Sequence, residues 1–218
     1  MKVMPADIQQ KIADGGVVAV LSIENVADAV PVAQALVEGG ITVIELALRS
    51  DAAIPSIEQI VKHVPQMNVG VGTILFKDQV KRVKDLGALF GVSPGLNAEI
   101  VKEAVDNGFP FAPGISTASE IELAYSLGCD MLKLFPAGPL GGPDYLKAMG
   151  APYKHLNLRY FPLGGVSQKT LPSWGELSNV ITVGGSWIAN RQLIAEHRFE
   201  EIASAAADAQ KKWKEIRG

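Results

Sequence analysis

The feature that most constrains the fold is an alternation of apolar runs and amphipathic segments along the chain. The first apolar run, Val17–Ile23, is continuous and rich in valine, which is typical of a strand buried on both faces of a parallel sheet. Repeated strand-then-helix units imply parallel strands joined by right-handed crossovers. Strands are predicted at residues 17–23, 41–48, 68–75, 88–93, 109–115, 131–135, 156–163 and 180–183.

Helix-boundary signals fall between these runs. Asn25 can cap a helix, and Thr117 with Glu120 three residues later matches the pattern of a capping box. A weak helical stretch opens at Ser167 and is predicted to break at Pro172. Further helices are predicted at residues 5–13, 25–38, 51–64, 77–86, 97–106, 117–127, 199–216 and near 144–149.

Eight strands alternating with helices favour a closed (β/α)₈ TIM barrel over an open sheet. No change in composition marks a linker, so we expect one α/β domain over residues 1–218, with a short N-terminal helix. The chain is shorter than the roughly 250 residues typical of such barrels. A flavodoxin-like or Rossmann sheet is the alternative fold, but no G-x-G-x-x-G follows the first strand.

Charge and composition exclude several classes of function. A net charge of −3 without a basic run argues against a nucleic-acid or anionic-membrane surface. The apolar runs are too short to span a bilayer, and the start M-K-V-M-P-A-D lacks the apolar core of a signal peptide. The single cysteine, Cys129, excludes an internal disulfide and fits a reducing compartment. We therefore expect a cytoplasmic protein.

Two ionisable residues stand alone in apolar strands. Lys133 lies in D-M-L-K-L-F-P-A and Glu45 lies in I-T-V-I-E-L-A-L. A buried ammonium is costly unless it is paired or neutralised, and a neutral lysine is a nucleophile for Schiff-base chemistry. If both side chains point into the barrel, the pair could be a nucleophilic amine beside a general acid/base. A structural buried ion pair is the alternative.

The carboxyl ends of the strands, where barrel active sites lie, carry further polar and small residues. Arg49 suits a carboxylate or phosphate through its planar fork, although a surface arginine is as plausible, and Thr73 adds a hydroxyl. Gly-Gly pairs close the last two strands, where barrels often bind phosphate through backbone N–H groups. The residues of these two loops are Gly164, Gly165, Gly184, Gly185 and Ser186.

Other reactive residue types do not form a recognisable site. His63, His155 and His197 are scattered without ligand spacing, which argues against a metal. Cys129 is expected to be a small core residue. Arg159 comes early in its strand and is expected to make a structural pair at the opposite end of the barrel.

Seven ordered motifs together resemble a known family. They are G-G-I-T-V-I-E-L-A-L-R-S, V-G-V-G-T-I-L, S-P-G-L, P-G-I-S-T-A-S-E, K-L-F-P-A, P-L-G-G-V-S and G-G-S-W, spread over nearly the whole chain. They resemble the bacterial 2-keto-3-deoxy-6-phosphogluconate (KDPG) / 4-hydroxy-2-oxoglutarate (KHG) aldolases. The resemblance implies a class I, metal-independent pyruvate aldolase on a (β/α)₈ barrel, commonly homotrimeric.

The resemblance also implies roles for individual residues. Lys133 would form the imine with the keto carbon of pyruvate, so that neither a metal nor another cofactor is needed, and Glu45 would shuttle protons. The residues implied in substrate binding are Arg49 and Thr73 at the pyruvate carboxylate, Pro94 and Phe135 along the pocket, and Gly164, Gly165 and Ser186 in the phosphate loops.

One position departs from the family pattern. The family commonly has Pro-Thr-Gly-Gly where this chain has Pro-Leu-Gly-Gly, so Leu163 replaces a hydroxyl near the aldehyde portion of the substrate. We expect altered substrate preference or stereocontrol with imine formation intact. The alternatives are a 6-phosphogalactonate-specific aldolase, a non-catalytic phospho-ligand-binding barrel, and a phosphate-binding isomerase without imine chemistry.

Overall fold

The computed structural model describes residues 2–218 as an α/β fold with a curled parallel sheet. Every strand pairing is parallel, in a six-stranded sheet of order β5-β4-β3-β2-β1-β9 and a three-stranded sheet of order β6-β7-β8. The strands are β1 (Val18–Leu21), β2 (Val43–Ala47), β3 (Asn68–Gly72), β4 (Phe90–Val92), β5 (Phe111–Ala112), β6 (Gly114–Ile115), β7 (Met131–Leu134), β8 (Arg159–Pro162) and β9 (Gly184–Gly185).

The described chain also contains ten α-helices and two 3₁₀ helices. The 3₁₀ helices span Val26–Asp28 and Ala151–Leu156. The α-helices are α1 (Ala6–Asp14), α2 (Ala29–Glu38), α3 (Ala53–His63), α4 (Lys77–Asp85), α5 (Ala98–Asp106), α6 (Ala118–Ser126), α7 (Gly142–Gly150), α8 (Leu171–Gly175), α9 (Arg191–Ala195) and α10 (Phe199–Arg217).

Local sequence explains how these elements begin and pack. The predicted capping box is confirmed: Thr117 Oγ1 accepts from the Glu120 N–H while the Glu120 carboxylate accepts from the Thr117 N–H. All five residues of β2 are buried, as a strand covered on both faces requires. Gly70 in β3 leaves room for Phe90, because a Cβ there would overlap the phenyl ring. Such packing fixes the positions of the strand ends.

The two sheets approach each other at both of their edges. Only Pro113 separates β5 from β6, and its carbonyl accepts a 2.9 Å hydrogen bond from the N–H of Lys133. At the other edge, Val180 forms an isolated parallel bridge with Tyr160 of β8. The carbonyl of Val183 accepts a 2.9 Å hydrogen bond from Val18 of β1. Both edges therefore bring the small sheet next to the large one.

The last predicted strand needs correction. Residues 180–183 form no ladder, because their hydrogen bonds are divided between two neighbours: Ile181 donates to Tyr160, while Val183 accepts from Val18. On the side of β1 away from β2, the pairing strand is β9, which begins just after residue 183 at Gly184. The predicted strand at 109–115 is likewise observed as two short strands, β5 and β6, on either side of a proline that cannot donate to a ladder.

Three predicted helix features also differ from the structure. Asn25 caps the 3₁₀ helix through the N–H of Ala27, and α2 begins only at Ala29. Pro172 lies within the first turn of α8 instead of breaking a helix, since first-turn residues need no helical N–H partner. Helix α9, with Asn190 as its cap, was not predicted because it has only five residues.

Within residues 2–218, no helix has both the length and the apolarity needed to cross a membrane.

Candidate active site

A cavity of about 160 Å³ opens where the carboxyl ends of strands from both sheets converge. All the residues that the sequence singled out as a site line this one cavity. They are Glu45, Arg49, Thr73, Pro94, Lys133, Phe135, Leu163, Gly164, Gly165, Gly184, Gly185 and Ser186, joined by Val20, Ala47 and Val166.

The deepest polar contact in this cavity joins Lys133 and Glu45. Lys133 Nζ lies 3.5 Å from Glu45 Oε1, and the two side chains are only 5% and 2% exposed. They come from β7 and β2, which belong to different sheets, so the contact crosses the interior between them. The ammonium also lies 5.1 Å from the ring centroid of Phe135, within range of a cation–π attraction.

A glycine on the neighbouring strand makes room for this pair. Gly72 ends β3, and a Cβ built on it would overlap the carboxylate of Glu45. Any larger residue at position 72 would push Glu45 away from Lys133. The sequence V-G-V-G-T thus provides the space that a buried carboxylate occupies.

The rim of the cavity carries Arg49 and Thr73. Arg49 follows β2, and no carboxylate within residues 2–218 forms an ion pair with it. Thr73 follows β3 with a φ of 60°, a left-handed conformation that few residues other than glycine adopt. Such outliers cluster at functional sites, where the surrounding structure holds them in place. A free guanidinium and a hydroxyl are therefore available to a carboxylate at this rim.

The loop after β8 forms the opposite wall. Gly164 and Gly165 both have a φ of 81°, which glycine adopts without steric cost. Leu163, only 2% exposed, packs so closely that a Cβ on Gly184 would lie 2.8 Å from its side chain. This loop and the loop after β9 line the same cavity, and Ser186 of the second loop adds a hydroxyl group.

An adjoining cavity of about 420 Å³ contains polar residues that the sequence analysis missed. It shares Arg49 and Ser186 with the first cavity and adds Ser22 and Arg191. Arg191 Nη2 donates to Ser22 Oγ at 3.0 Å and lies 3.5 Å from Glu24. Two features of the sequence could have indicated this cavity. Ser22 directly follows the first strand, and Asn190, a residue type that caps helices, directly precedes Arg191.

The remaining candidates lie elsewhere. None of the three histidines lines the cavity, and residues 2–218 contain no group of three or more His, Cys, Asp or Glu arranged to hold a metal. Cys129 is a buried core residue, as expected, and burial raises the pKa of its thiol to about 12, with a smaller contribution from Asp130. Arg159 lies at the opposite end of its strand, where its guanidinium donates to the Ser178 carbonyl instead of pairing with a carboxylate.

The fold and this cavity define a class of enzyme. A lysine and a carboxylate buried in contact at the carboxyl ends of parallel strands can form an imine with a carbonyl substrate and move the protons that the reaction requires. The family model "KDPG and KHG aldolase" matches residues 8–205. The chain belongs to this family and is a lyase.

Individual relatives cover almost the whole chain. The KHG/KDPG aldolase of Escherichia coli K12 is 35% identical over 209 residues, which are 96% of this chain and 97% of that protein. A structure of KDPG aldolase from Legionella pneumophila with pyruvate captured as a covalent carbinolamine aligns with a TM-score of 0.88, at 32% identity over 93% of this chain and 98% of that one. The Zymomonas mobilis KDPG aldolase with 3-phosphoglycerate aligns with a TM-score of 0.83, at 36% identity over 93% and 94%.

Proposed function

We propose that this protein is a class I aldolase that cleaves 2-keto-3-deoxy-6-phosphogluconate to pyruvate and glyceraldehyde 3-phosphate. The same chemistry extends to 4-hydroxy-2-oxoglutarate, which gives pyruvate and glyoxylate. The observation that carries this proposal is the buried contact between Lys133 and Glu45. Membership of the KDPG and KHG aldolase family supports it.

In the proposed mechanism the Lys133 amine attacks the C2 keto carbon of the substrate. Glu45 protonates the keto oxygen, and the resulting carbinolamine loses water to become a protonated imine. The imine is an electron sink: when Glu45 removes the proton of the C4 hydroxyl, the C3–C4 bond breaks and its electrons form an enamine. The aldehyde leaves, the enamine takes up a proton at C3, and water releases pyruvate from Lys133.

The other residues of the cavity would hold the two ends of the substrate. Arg49 and Thr73 would bind the pyruvate carboxylate through charge-assisted and neutral hydrogen bonds. Pro94 and Phe135 would line the pocket along the carbon chain. The phosphate would lie against the loops that contain Gly164, Gly165, Gly185 and Ser186, where backbone N–H groups can donate. The imine replaces a Lewis acid in this scheme, which therefore requires no metal and no other cofactor.

Leu163 makes the C4-epimeric 2-keto-3-deoxy-6-phosphogalactonate a second candidate substrate, because it weakens discrimination between the two epimers. The side chain is buried in the wall of the cavity, where the family commonly has a threonine. An apolar group at this point gives up a hydrogen bond that could distinguish the two C4 epimers. The cleavage chemistry is the same for either epimer.

We further propose that the two sheets form one closed (β/α)₈ barrel and a single domain over residues 1–218. The Tyr160–Val180 bridge and the hydrogen bond from Val18 to Val183 support closure on one side, and the continuity of β5 with β6 supports it on the other. A homotrimer in the cytoplasm is the assembly and location that we propose from the family resemblance. Light scattering tests the assembly: a mass other than three chains would contradict it.

Pyruvate release from synthetic KDPG, followed with lactate dehydrogenase and NADH, tests the proposed function. We expect steady turnover by the natural chain and none by Lys133→Met. A non-catalytic phosphate-binding barrel or an isomerase would release no pyruvate, and that result with folded protein would overturn the proposal. The same assay with the C4 epimer and with 4-hydroxy-2-oxoglutarate ranks the substrates.

A further inference from the structure

A second cavity lies at the other end of the strands from the proposed active site. Its volume is about 620 Å³, and it is lined by the N-terminal helix α1, the start of β8 and the end of α10. None of its lining residues takes part in the reaction proposed above. Its wall carries three cations, Arg159, Lys214 and Arg217, that pair with no carboxylate within residues 2–218.

Two of these cations are held side by side. Arg159 Nη1 donates to the carbonyl of Ser178 at 3.3 Å, and Arg217 Nη1 donates to the carbonyl of Leu177 at 3.5 Å. Because the two acceptors are consecutive, both guanidiniums are anchored at one turn of the backbone. Burial and the neighbouring Arg159 charge lower the pKa of Arg217. Two like charges held together in this way have remaining N–H donors to offer to an anion.

The carboxylates of the same cavity already have partners. Asp130 lies 2.6 Å from the ammonium of Lys2 and accepts from Gln9, while Asp14 accepts from Gln10. Neither forms an ion pair with Arg159 or Arg217. The arginines thus keep a positive charge in a chain whose net charge is −3.

A buried hydroxyl beside Arg159 also lacks a partner. Tyr160 is 1% exposed, and its Oη has no hydrogen-bond partner among residues 2–218. The residue lines a smaller cavity of about 210 Å³ that shares Arg159, Asn157 and Ser178 with the large one. A Cβ built on Gly150 would lie 3.6 Å from this oxygen, so the hydroxyl faces α7 behind β8, and the cations alone are the anion donors of the large cavity.

We propose that Arg159, Arg217 and Lys214 form a second anion site for a small phosphate-bearing metabolite. Guanidinium groups bind phosphate oxygens in pairs through their planar forks, and two adjacent guanidiniums match the charge of a phosphate dianion. The site is separate from the proposed phosphate loops at the opposite ends of the strands. A ligand there would bridge β8 and α10, because Arg159 and Arg217 belong to these two elements.

Titration of the whole protein with inorganic phosphate, followed by amide NMR shifts, tests this proposal. We expect saturable shifts at residues 157–160 and 177–179, separate from any at residues 164–165 and 185–186. The double variant Arg159→Met/Arg217→Met should bind at the first group at least tenfold more weakly, and Lys214→Met should bind several-fold more weakly. Arg82→Met, which removes an exposed charge on α4, should bind like the natural chain.

Activity separates this proposal from the proposed function. The double variant should cleave substrate within twofold of the natural chain when no phosphate is added, since neither arginine lines the active-site cavity. Phosphate shifts confined to residues 164–165 and 185–186 would overturn the second site. So would unchanged affinity at residues 177–179 in the double variant.

Discussion

A lysine–carboxylate pair lies at each end of strand β7. The two pairs join the same kinds of group but differ in distance and in exposure to water. Just before the strand begins, Asp130 lies 2.6 Å from the ammonium of Lys2, and the side chains of Lys2 and Asp130 are 69% and 10% exposed. Near its carboxyl end, Lys133 lies 3.5 Å from Glu45, and both side chains are at most 5% exposed. The shorter contact is open to water on the side of Lys2, whereas both partners of the longer one are closed off from it.

This comparison shows that the surroundings of an ion pair matter more than its length. An exposed pair is screened by water and stabilises a fold by about 0–1 kcal/mol. A buried pair has lost its hydration, and apolar residues of similar volume often stabilise a fold as well or better. A stabilising role alone therefore does not explain why Lys133 and Glu45 are paired in the interior. We take them as the reactive end of β7 and the Lys2–Asp130 end as structural.

The matched substitutions Lys133→Met and Lys2→Met should give the largest contrast. Loss of a covalent nucleophile should lower cleavage by about four orders of magnitude or more. It should also lower the free energy of unfolding by roughly 3–5 kcal/mol, because Glu45 is left buried without its partner. Lys2→Met should keep activity within about twofold and change stability by less than about 1 kcal/mol. The coupled pyruvate assay and urea unfolding measure both; equal losses of activity in the two variants would contradict the contrast.

Cys129, next to Asp130, tests whether the structural end of β7 is chemically inert. Burial raises the pKa of its thiol to about 12, so at pH 8 about 10⁻⁴ of the molecules hold a thiolate, against about a quarter for a free cysteine of pKa ~8.5. Alkylation by iodoacetamide should therefore be about three orders of magnitude slower in the folded protein than in urea. Mass spectrometry follows the labelling. Labelling of folded protein at the urea rate would show that this end of the strand is open.

The space beside Glu45 can be filled without changing Glu45 or Lys133. Gly72→Ala should displace the carboxylate, because the new Cβ would overlap it, and cleavage should fall about 10²–10⁴-fold, as for Glu45→Gln. Gly95→Ala is the matched control, since a Cβ there has open space around it. We expect the control to remain within about twofold of the natural chain in kcat. If Gly72→Ala were as active as Gly95→Ala, the position of Glu45 would not matter.

The smallest effect is expected from Leu163→Thr. A new hydroxyl in the cavity wall can form one hydrogen bond, worth about 0.5–1.5 kcal/mol, which corresponds to roughly a two- to tenfold change in the ratio of kcat/KM for the two C4 epimers. Imine formation with pyruvate should not change, because Lys133 and Glu45 are untouched. Rates of pyruvate release from each epimer give the ratio. Identical ratios for Leu163→Thr and the natural chain would remove Leu163 from the account of specificity.

The sequence predicted the parts of this molecule that depend on local pattern. Lone charges in apolar strands identified Glu45 and Lys133, and the order of the motifs led to a family that the family model confirms. Pattern alone could not show that these residues meet, because they are 88 positions apart and belong to different sheets.

Features that depend on distant partners were missed for the same reason. Arg159 was expected to find a counter-ion, but its neighbours are the Ser178 carbonyl and Arg217, which only the packing of α10 brings close. Arg191 was missed because a five-residue helix leaves almost no periodic signal. Residues 180–183 look like a strand in sequence, but their hydrogen bonds are divided between β8 and β1. The position of β9 at Gly184 was therefore not predicted.

Borohydride reduction in the presence of pyruvate, followed by peptide mass mapping, tests the central claim most directly. An imine on Lys133 would be reduced to a stable adduct of pyruvate on the peptide that contains K-L-F-P-A. We predict that adduct on Lys133 alone, with none on Lys2 and none in the folded Lys133→Met variant. Folded natural chain that gains no adduct, or that gains it equally at Lys2, would contradict the assignment of β7's carboxyl end as the reactive one.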